Sequence, residues 1–245
     1  MASPSTPFRP TRAMMLAAGF GKRMRPLTAT TPKPLIEVAG KALIDHGLDR
    51  MAAAGITDVV VNVHYLADFV EVHVSHRSVP KPEISDERRQ LLDTGGGIAK
   101  ALPMLGPEPF LLMNSDSFWV EGATPNLELL IGAWDETRMD ALLLLAPMVN
   151  AFGYDGHGDF FMTPEAEVRR RKERSVAPFV YAGVAILHPK LFEGAPDGPF
   201  SLNTLFDRAI EAERLFGVRM EGIWLHVGTP KAIREAEAAI LESAL

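Results

Sequence analysis

Short apolar runs separated by polar and glycine-rich stretches set the rhythm of this chain. The first, residues 13–17, stops at Gly19 and predicts a buried strand running into a loop. Over residues 41–54 the apolar positions Leu43, Ile44, Leu48, Met51 and Ala52 recur at helical spacing, and Gly55 supplies a stop. The run DVVVNV, residues 58–63, is continuous and β-branched, as in a parallel strand covered on both faces. A helix is predicted over 65–76, a strand over 109–114, a helix over 127–134 and a strand over 141–149. Residues 153–178 change character: glycines, GDFFM and the charged EVRRRKER predict a β-hairpin that leaves the main sheet. A strand over 180–187, a helix over 202–213 and a strand over 218–225 follow. The last predicted helix covers 231–241, with Thr229 as N-cap and Pro230 at its first position.

Strands and helices alternating at this spacing imply βαβ units, hence an α/β fold with a mostly parallel central sheet and helices on both faces. One domain is expected over residues 13–245. Residues 1–12, with three prolines and several Ser/Thr, are expected to be a flexible leader, and they lack the apolar stretch of a secretory signal. No apolar run approaches the roughly eighteen residues of a membrane span, so the expectation is a soluble, cytoplasmic protein with no membrane partner. A formal net charge of -6 argues against a nucleic-acid polymer as partner. With no cysteine, disulfides and thiolate metal sites are excluded.

Against that acidic background, residues 17–35 (AAGFGKRMRPLTATTPKPL) gather Lys22, Arg23, Arg25 and Lys33 beside two glycines. A glycine-rich loop directly after a strand lies where α/β proteins bind ligands, at the carboxyl ends of the strands. Gly19 and Gly21 let backbone amides approach an anion, and guanidinium groups suit bidentate contact with phosphate. The loop matches neither the Walker pattern nor the full G-x-G-x-x-G dinucleotide fingerprint, since position 24 is Met.

The string LAAGFGKRMRPLT followed by PKPLIEVAGKALI resembles the signature of the sugar-1-phosphate nucleotidyltransferases (nucleotide-sugar pyrophosphorylases). The likeness continues through LLDTGGGIAKALP, FLLMNSD, YAGVAILHP and WLHVGTP. It is greatest to the compact subgroup acting on N-acetylmuramate 1-phosphate with UTP, which shares the short length, TGGGI and the GDF hairpin. The resemblance implies a three-layer Rossmann-like fold and the reaction NTP + sugar 1-phosphate → NDP-sugar + pyrophosphate, within cell-wall sugar recycling. It implies that Ala17, Ala18 and Gly19 face base and ribose, and that Gly21, Lys22 and Arg23 embrace the triphosphate. Lys33 then reaches the α-phosphate and the incoming sugar phosphate. The basic cluster is in this reading a local charge trap that screens two anions before they react.

Asp116, just past the apolar strand PFLLMN, matches the family's Mg²⁺-binding aspartate, and Asn114 before it joins the nucleotide side. Arg23, Lys33 and Asp116 are the expected catalytic set. Mg²⁺ takes hard oxygen ligands and usually only one or two protein carboxylates. The family's second metal aspartate lies in W-x-D-x-G-T, where this chain has His226. Imidazole is a poor ligand for Mg²⁺. Three roles stand open for it: none, with Asp116, phosphates and water holding the metal; ligation of a softer ion such as Mn²⁺; or direct contact with phosphate.

Thr94, Gly95 and Gly96 open the glycine run ahead of the helical stretch IAKAL and are expected to lie against the base. An acidic residue shortly before them reads the base in relatives, with Glu87 the candidate and Asp93 the reserve. On the acceptor side, Asn150, Gly158, Asp159, Ala182 and Gly183 match sugar-pocket positions. The family's E-K-P lysine is missing, leaving Lys172 and Arg174 as substitutes in a run that reads more simply as a solvated charged strand. Rival readings are mannose-1-phosphate guanylyl transfer, glucose-1-phosphate uridylyl or thymidylyl transfer, and a non-catalytic nucleotide-sugar sensor.

Overall fold

The centre of the molecule is β1 (Arg12–Leu16), whose middle residues Ala13, Met14 and Met15 are fully buried. The computed structural model describes residues 8–243. After β1 come two short strands, β2 (Glu37–Val38) and β3 (Lys41–Ala42), then helix α1 (Leu43–Ala53) and β4 (Asp58–Val63). The chain continues through α2 (Ala67–Ser75), β5 (Lys81–Asp86), α3 (Asp93–Leu105), β6 (Phe110–Asn114), β7 (Ser117–Val120) and α4 (Asn126–Gly132). Next are β8 (Ala141–Pro147), β9 (Ala151–Phe152), the hairpin β10 (Phe160–Met162) and β11 (Val168–Arg170), and β12 (Phe179–Leu187). Helix α5 (Asn203–Glu211), β13 (Leu215–Arg219), β14 (Ile223–His226) and α6 (Pro230–Ser243) complete it.

The central sheet runs β5-β4-β1-β6-β12-β8-β13, with all strands parallel except β12. Period-two alternation along β1 divides the core. Ala13 and Met15 pack with α1, α2 and α4 on one face, while Met14 packs with α3 and α5 on the other. Each fully buried side chain of this size contributes about 1.5–3 kcal/mol of transfer free energy, so the register of β1 is strongly set. The result is three layers, as expected.

The expected hairpin forms: β10 pairs antiparallel with β11 and joins the sheet through Phe160 opposite Phe179 of β12. Helix α6 begins at Pro230, and the Thr229 hydroxyl accepts from Ala232 N at 3.4 Å, the predicted cap.

Four elements differ from the sequence reading. The strand expected over 218–225 is two strands in two sheets: β13 completes the central sheet, and β14 lies between β7 and β9 in a second one. Between them Gly222 turns at φ 80, where an added Cβ would stand 2.1 Å from Val120 O. The edge strand β5 (KPEISD) had no apolar run to announce it, and the apolar residues of β7 (SFWV) are too few to stand out. Helix α3 takes the glycine run into its own first turns instead of starting after it.

The first seven residues of the expected leader lie outside the described residues. From Phe8 onward the segment is held: the Phe8 ring sits 5.7 Å from that of Trp134, and Arg9 donates to both carboxylate oxygens of Glu128. Among the described residues no helix is long and apolar enough to cross a membrane.

Candidate active site

The parallel register brings two asparagines to one edge, on either side of the end of β1. Leu16, the last residue of β1, lies opposite Asn62 of β4 on one side and Asn114 of β6 on the other. Beyond that edge the chain of β1 becomes the glycine loop, and together they enclose a cavity of about 240 Å³. Its lining includes Ala17, Ala18, Gly19, Gly21, Lys33, Asn62, Asp93, Thr94, Asn114 and Asp116. Eight of these ten were expected on the nucleotide or metal side from sequence; Asp93 was the reserve and Asn62 was missed.

The loop is built to stay close to this cavity. Gly21 has φ 60, and a Cβ there would lie 2.9 Å from Thr28 Cγ2 and 3.0 Å from Lys33 Cβ, so a side chain would be both strained and crowded. The Thr28 hydroxyl donates to Gly21 O at 2.9 Å, and the Tyr65 hydroxyl donates to Thr28 O at 2.8 Å. The Phe20 ring packs between His64 and Tyr65, at centroid distances of 5.3 and 5.5 Å, and the Lys22 ammonium lies 5.4 Å from that ring. Lys22 and Arg23 are exposed and are not among the residues lining the cavity, while Met24 anchors the turn in the core.

Across the cavity, Lys33 Nζ donates to Asp116 Oδ2 at 2.5 Å. Burial pushes the Asp116 carboxyl up, but the adjoining ammonium outweighs it and holds the group below the usual carboxylate range. The arrangement is an ionised carboxylate beside an ammonium in a glycine-lined cavity, chemistry suited to a polyphosphate and a hard cation.

A family model described as Nucleotidyl transferase matches residues 12–154. The chain belongs to the nucleotidyl transferase family. It is similar to the N-acetylmuramate alpha-1-phosphate uridylyltransferase of Caulobacter vibrioides, with 48% identity covering 96% of this chain and 98% of the relative. The protein of the same name from Neisseria meningitidis is 36% identical over 93% of this chain and 97% of its own. In fold it resembles UDP-glucose pyrophosphorylase complexed with UDP-glucose, at TM-score 0.79 and 15% identity over 96% and 99% of the two chains. The inositol-1-phosphate CTP transferase from T. maritima follows at TM-score 0.77 and 18% identity, over 97% and 98%.

Within this nucleotidyl transferase several expected contacts are rearranged. Glu87 does not line the cavity. It is 1% exposed, and its carboxylate accepts from Asn62 Nδ2 at 2.7 Å and Leu92 N at 3.0 Å, so direct reading of a base by Glu87 is excluded in this arrangement. Asp93, the reserve, does line it. Gly95 and Gly96 also stand behind the wall. Their amides donate to Phe200 O, and Cβ atoms there would lie 2.3 Å from the Phe200 ring and from Gly198 O. These two glycines therefore serve close packing of α3 against the 198–200 loop, and Thr94 alone of the three faces the cavity.

His226 ends β14 opposite Ser117 of β7, one residue past Asp116. Its ring lies 5.3 Å from Trp224 and 5.9 Å from Tyr154, and an added Cβ on Gly228 would stand 2.6 Å from its Nε2. Loss of hydration pushes the imidazole below its ordinary value; Asp116 opposes this, and Lys33 and Arg23 add to it. Among the described residues no group of three or more His, Asp or Glu is placed to hold a metal by itself.

On the acceptor side, Gly183 adopts φ 77 against Asn114 and Ser117, and the Ser117 hydroxyl donates to Ala182 O at 2.7 Å. Asp159 accepts from Tyr181 N at 3.0 Å, which ties the hairpin to β12, and buried Gly158 packs on Ala177 O just before that strand. Asn150 departs from expectation. Its amide donates to Gly222 O at 3.2 Å, at the opposite end of β14 from His226. Tyr154, between Trp224 and His226, is a residue at this end that sequence reading missed; it carried no motif.

Proposed function

We propose that this nucleotidyl transferase joins UTP and N-acetylmuramate 1-phosphate, releasing pyrophosphate and the UDP-sugar. Transfer to a sugar 1-phosphate is the activity of the relatives by name, and the pairing of 48% identity with near-complete mutual coverage carries the substrate choice. The reading extends to a cytoplasmic reaction within cell-wall sugar recycling, which would supply and use these two substrates.

An oxygen of the sugar phosphate attacks the α-phosphorus, the bond to the β-phosphate oxygen breaks, and pyrophosphate leaves. No side chain needs to act as nucleophile. The glycine loop offers backbone donors to the phosphates, Arg23 meets them, and Lys33 neutralises charge that builds on the α-phosphoryl oxygens. Asp116 is ionised at neutral pH and fits one carboxylate of a Mg²⁺ site completed by water and phosphate oxygens. Such an ion would supply further charge neutralisation. Mn²⁺ would tolerate the His226 imidazole better. With its imidazole neutral near pH 7, His226 adds no repulsion to either ion.

The test is pyrophosphate release from a matrix of nucleoside triphosphates and sugar 1-phosphates, each with Mg²⁺ and Mn²⁺. UTP with N-acetylmuramate 1-phosphate is expected to give the highest kcat/KM. Preference for mannose 1-phosphate with GTP would overturn the substrate assignment. Silence across the matrix with nucleotide-sugar binding intact would identify a sensor instead.

A further inference from the structure

Among the described residues Glu87 is the one charged side chain in the core, and it lies behind the nucleotide cavity without facing it. Both of its oxygens accept, one from Asn62 Nδ2 at 2.7 Å and the other from Leu92 N at 3.0 Å. Asn62, 2% exposed, turns its own Oδ1 toward Ala17 and accepts from that backbone N–H at 2.8 Å. Gly97 provides the space, since a Cβ there would stand 2.7 Å from Glu87 Oε1 and 2.9 Å from Asn62 Nδ2. Ser85 pairs with Asn62 in the strand register, but its buried hydroxyl engages no partner. The orientation of the Asn62 amide therefore rests on Glu87 and Ala17.

We propose that Glu87 is a positioning residue that acts through Asn62 to fix the Ala17–Gly19 wall of the nucleotide cavity. This rests on the reading that the cavity receives a nucleoside triphosphate. The logic is one of donors and acceptors. A carboxylate accepts from two N–H groups at once, whereas an amide in its place has one acceptor and one donor. In Glu87→Gln one of the two contacts becomes donor against donor. If the new oxygen stays on Leu92 N, the new NH₂ faces Asn62, and Asn62 must flip. Its Nδ2 would then point at the Ala17 N–H, and the wall loses its anchor. Buried mismatches of this kind are costly because no water relieves them. Combining Glu87→Gln with Asn62→Asp restores every pair at unchanged net charge: the new amide donates to the new carboxylate, which still accepts from Ala17.

The experiment measures UTP–Mg²⁺ affinity by calorimetry, steady-state kinetics, and exchange of the Ala17 amide in nucleotide-free protein. For Glu87→Gln the expectation is a rise in UTP Kd and KM on the order of tenfold, kcat within about threefold, and faster Ala17 exchange. The double variant should return all three to within about threefold of wild type. A wild-type Kd and wild-type Ala17 exchange in Glu87→Gln would overturn the proposal, as would a double variant no better than the single one. If Glu87→Gln does not fold, Asn62→Ala, which leaves Glu87 in place, is expected to weaken UTP and expose Ala17 similarly; no change there overturns it. Wild-type protein that neither binds nor turns over UTP would refute the proposed function, and Ala17 exchange would then judge the relay alone.

Discussion

Lys33 Nζ and Asp116 Oδ2 meet at 2.5 Å across 83 positions of sequence, with side chains 13% and 29% exposed. Each is the other's counter-ion. In the proposed reaction an entering triphosphate would offer Lys33 a second anion, and a divalent cation would offer Asp116 a second positive charge.

Replacing either member should cut turnover far more than it harms the fold. Lys33→Ala and Asp116→Ala are each expected to lower kcat by on the order of a hundredfold or more, through lost neutralisation in the transition state. The stability loss should stay below the roughly 3–5 kcal/mol seen when a fully buried pair is broken, because water reaches both groups. Pyrophosphate-release kinetics beside urea unfolding checks both. Near wild-type rates in either variant would remove the mechanism.

His226 predicts a pH effect on stability. Shielding from water holds its imidazole below the ordinary histidine value of about 6.5. The unfolded chain therefore binds more protons than the folded one as pH falls through 6.5, and stability must decline in that direction. Above that value the contribution is fully present. Unfolding midpoints between pH 8 and 5 should fall more steeply for wild type than for His226→Gln, and an NMR titration should place the imidazole below 6.5. A raised value would reverse the sign.

Gly183 should not accept a side chain. At φ 77 an alanine costs about 1–2 kcal/mol from backbone strain alone, and its Cβ would stand 2.2 Å from Ser117 Oγ and 2.8 Å from Asn114 Nδ2. Gly183→Ala is expected to lower the melting temperature by several degrees and to impair turnover by displacing Asn114. Thermal melts and kcat/KM test this; an unaltered Tm would contradict the packing.

Arg171 pins the hairpin, donating to Gly158 O, Lys172 O and Ser175 O. If the hairpin serves the acceptor, Arg171→Ala should raise the KM for the sugar 1-phosphate several-fold and leave that for the triphosphate within about twofold. An equal rise in both would assign the hairpin a purely structural part.

The segments most legible in the sequence were those whose environment is uniform. Strands β1, β4 and β6 are buried on both faces, so their apolar runs stand out, and helix α1 carries one clean apolar stripe. Strand β5 did not, because an edge strand reading KPEISD has exposed positions along much of its length. The glycine run of α3 reads as a loop by propensity, yet the Phe200 ring and Gly198 O close upon it so tightly that only glycines fit, and packing prevailed.

By itself the sequence determined the chemistry that is local: a glycine loop after a buried strand, cations within a few residues of it, and an aspartate just past a later apolar strand. Such groups reach the site wherever parallel strands end together. The tertiary structure alone decided which polar groups are consumed by one another. Glu87 met Asn62, Asn150 met Gly222 O, and Lys33 met Asp116, because strand register and helix packing choose hydrogen-bond partners across tens of residues, and local spacing carries no record of that choice.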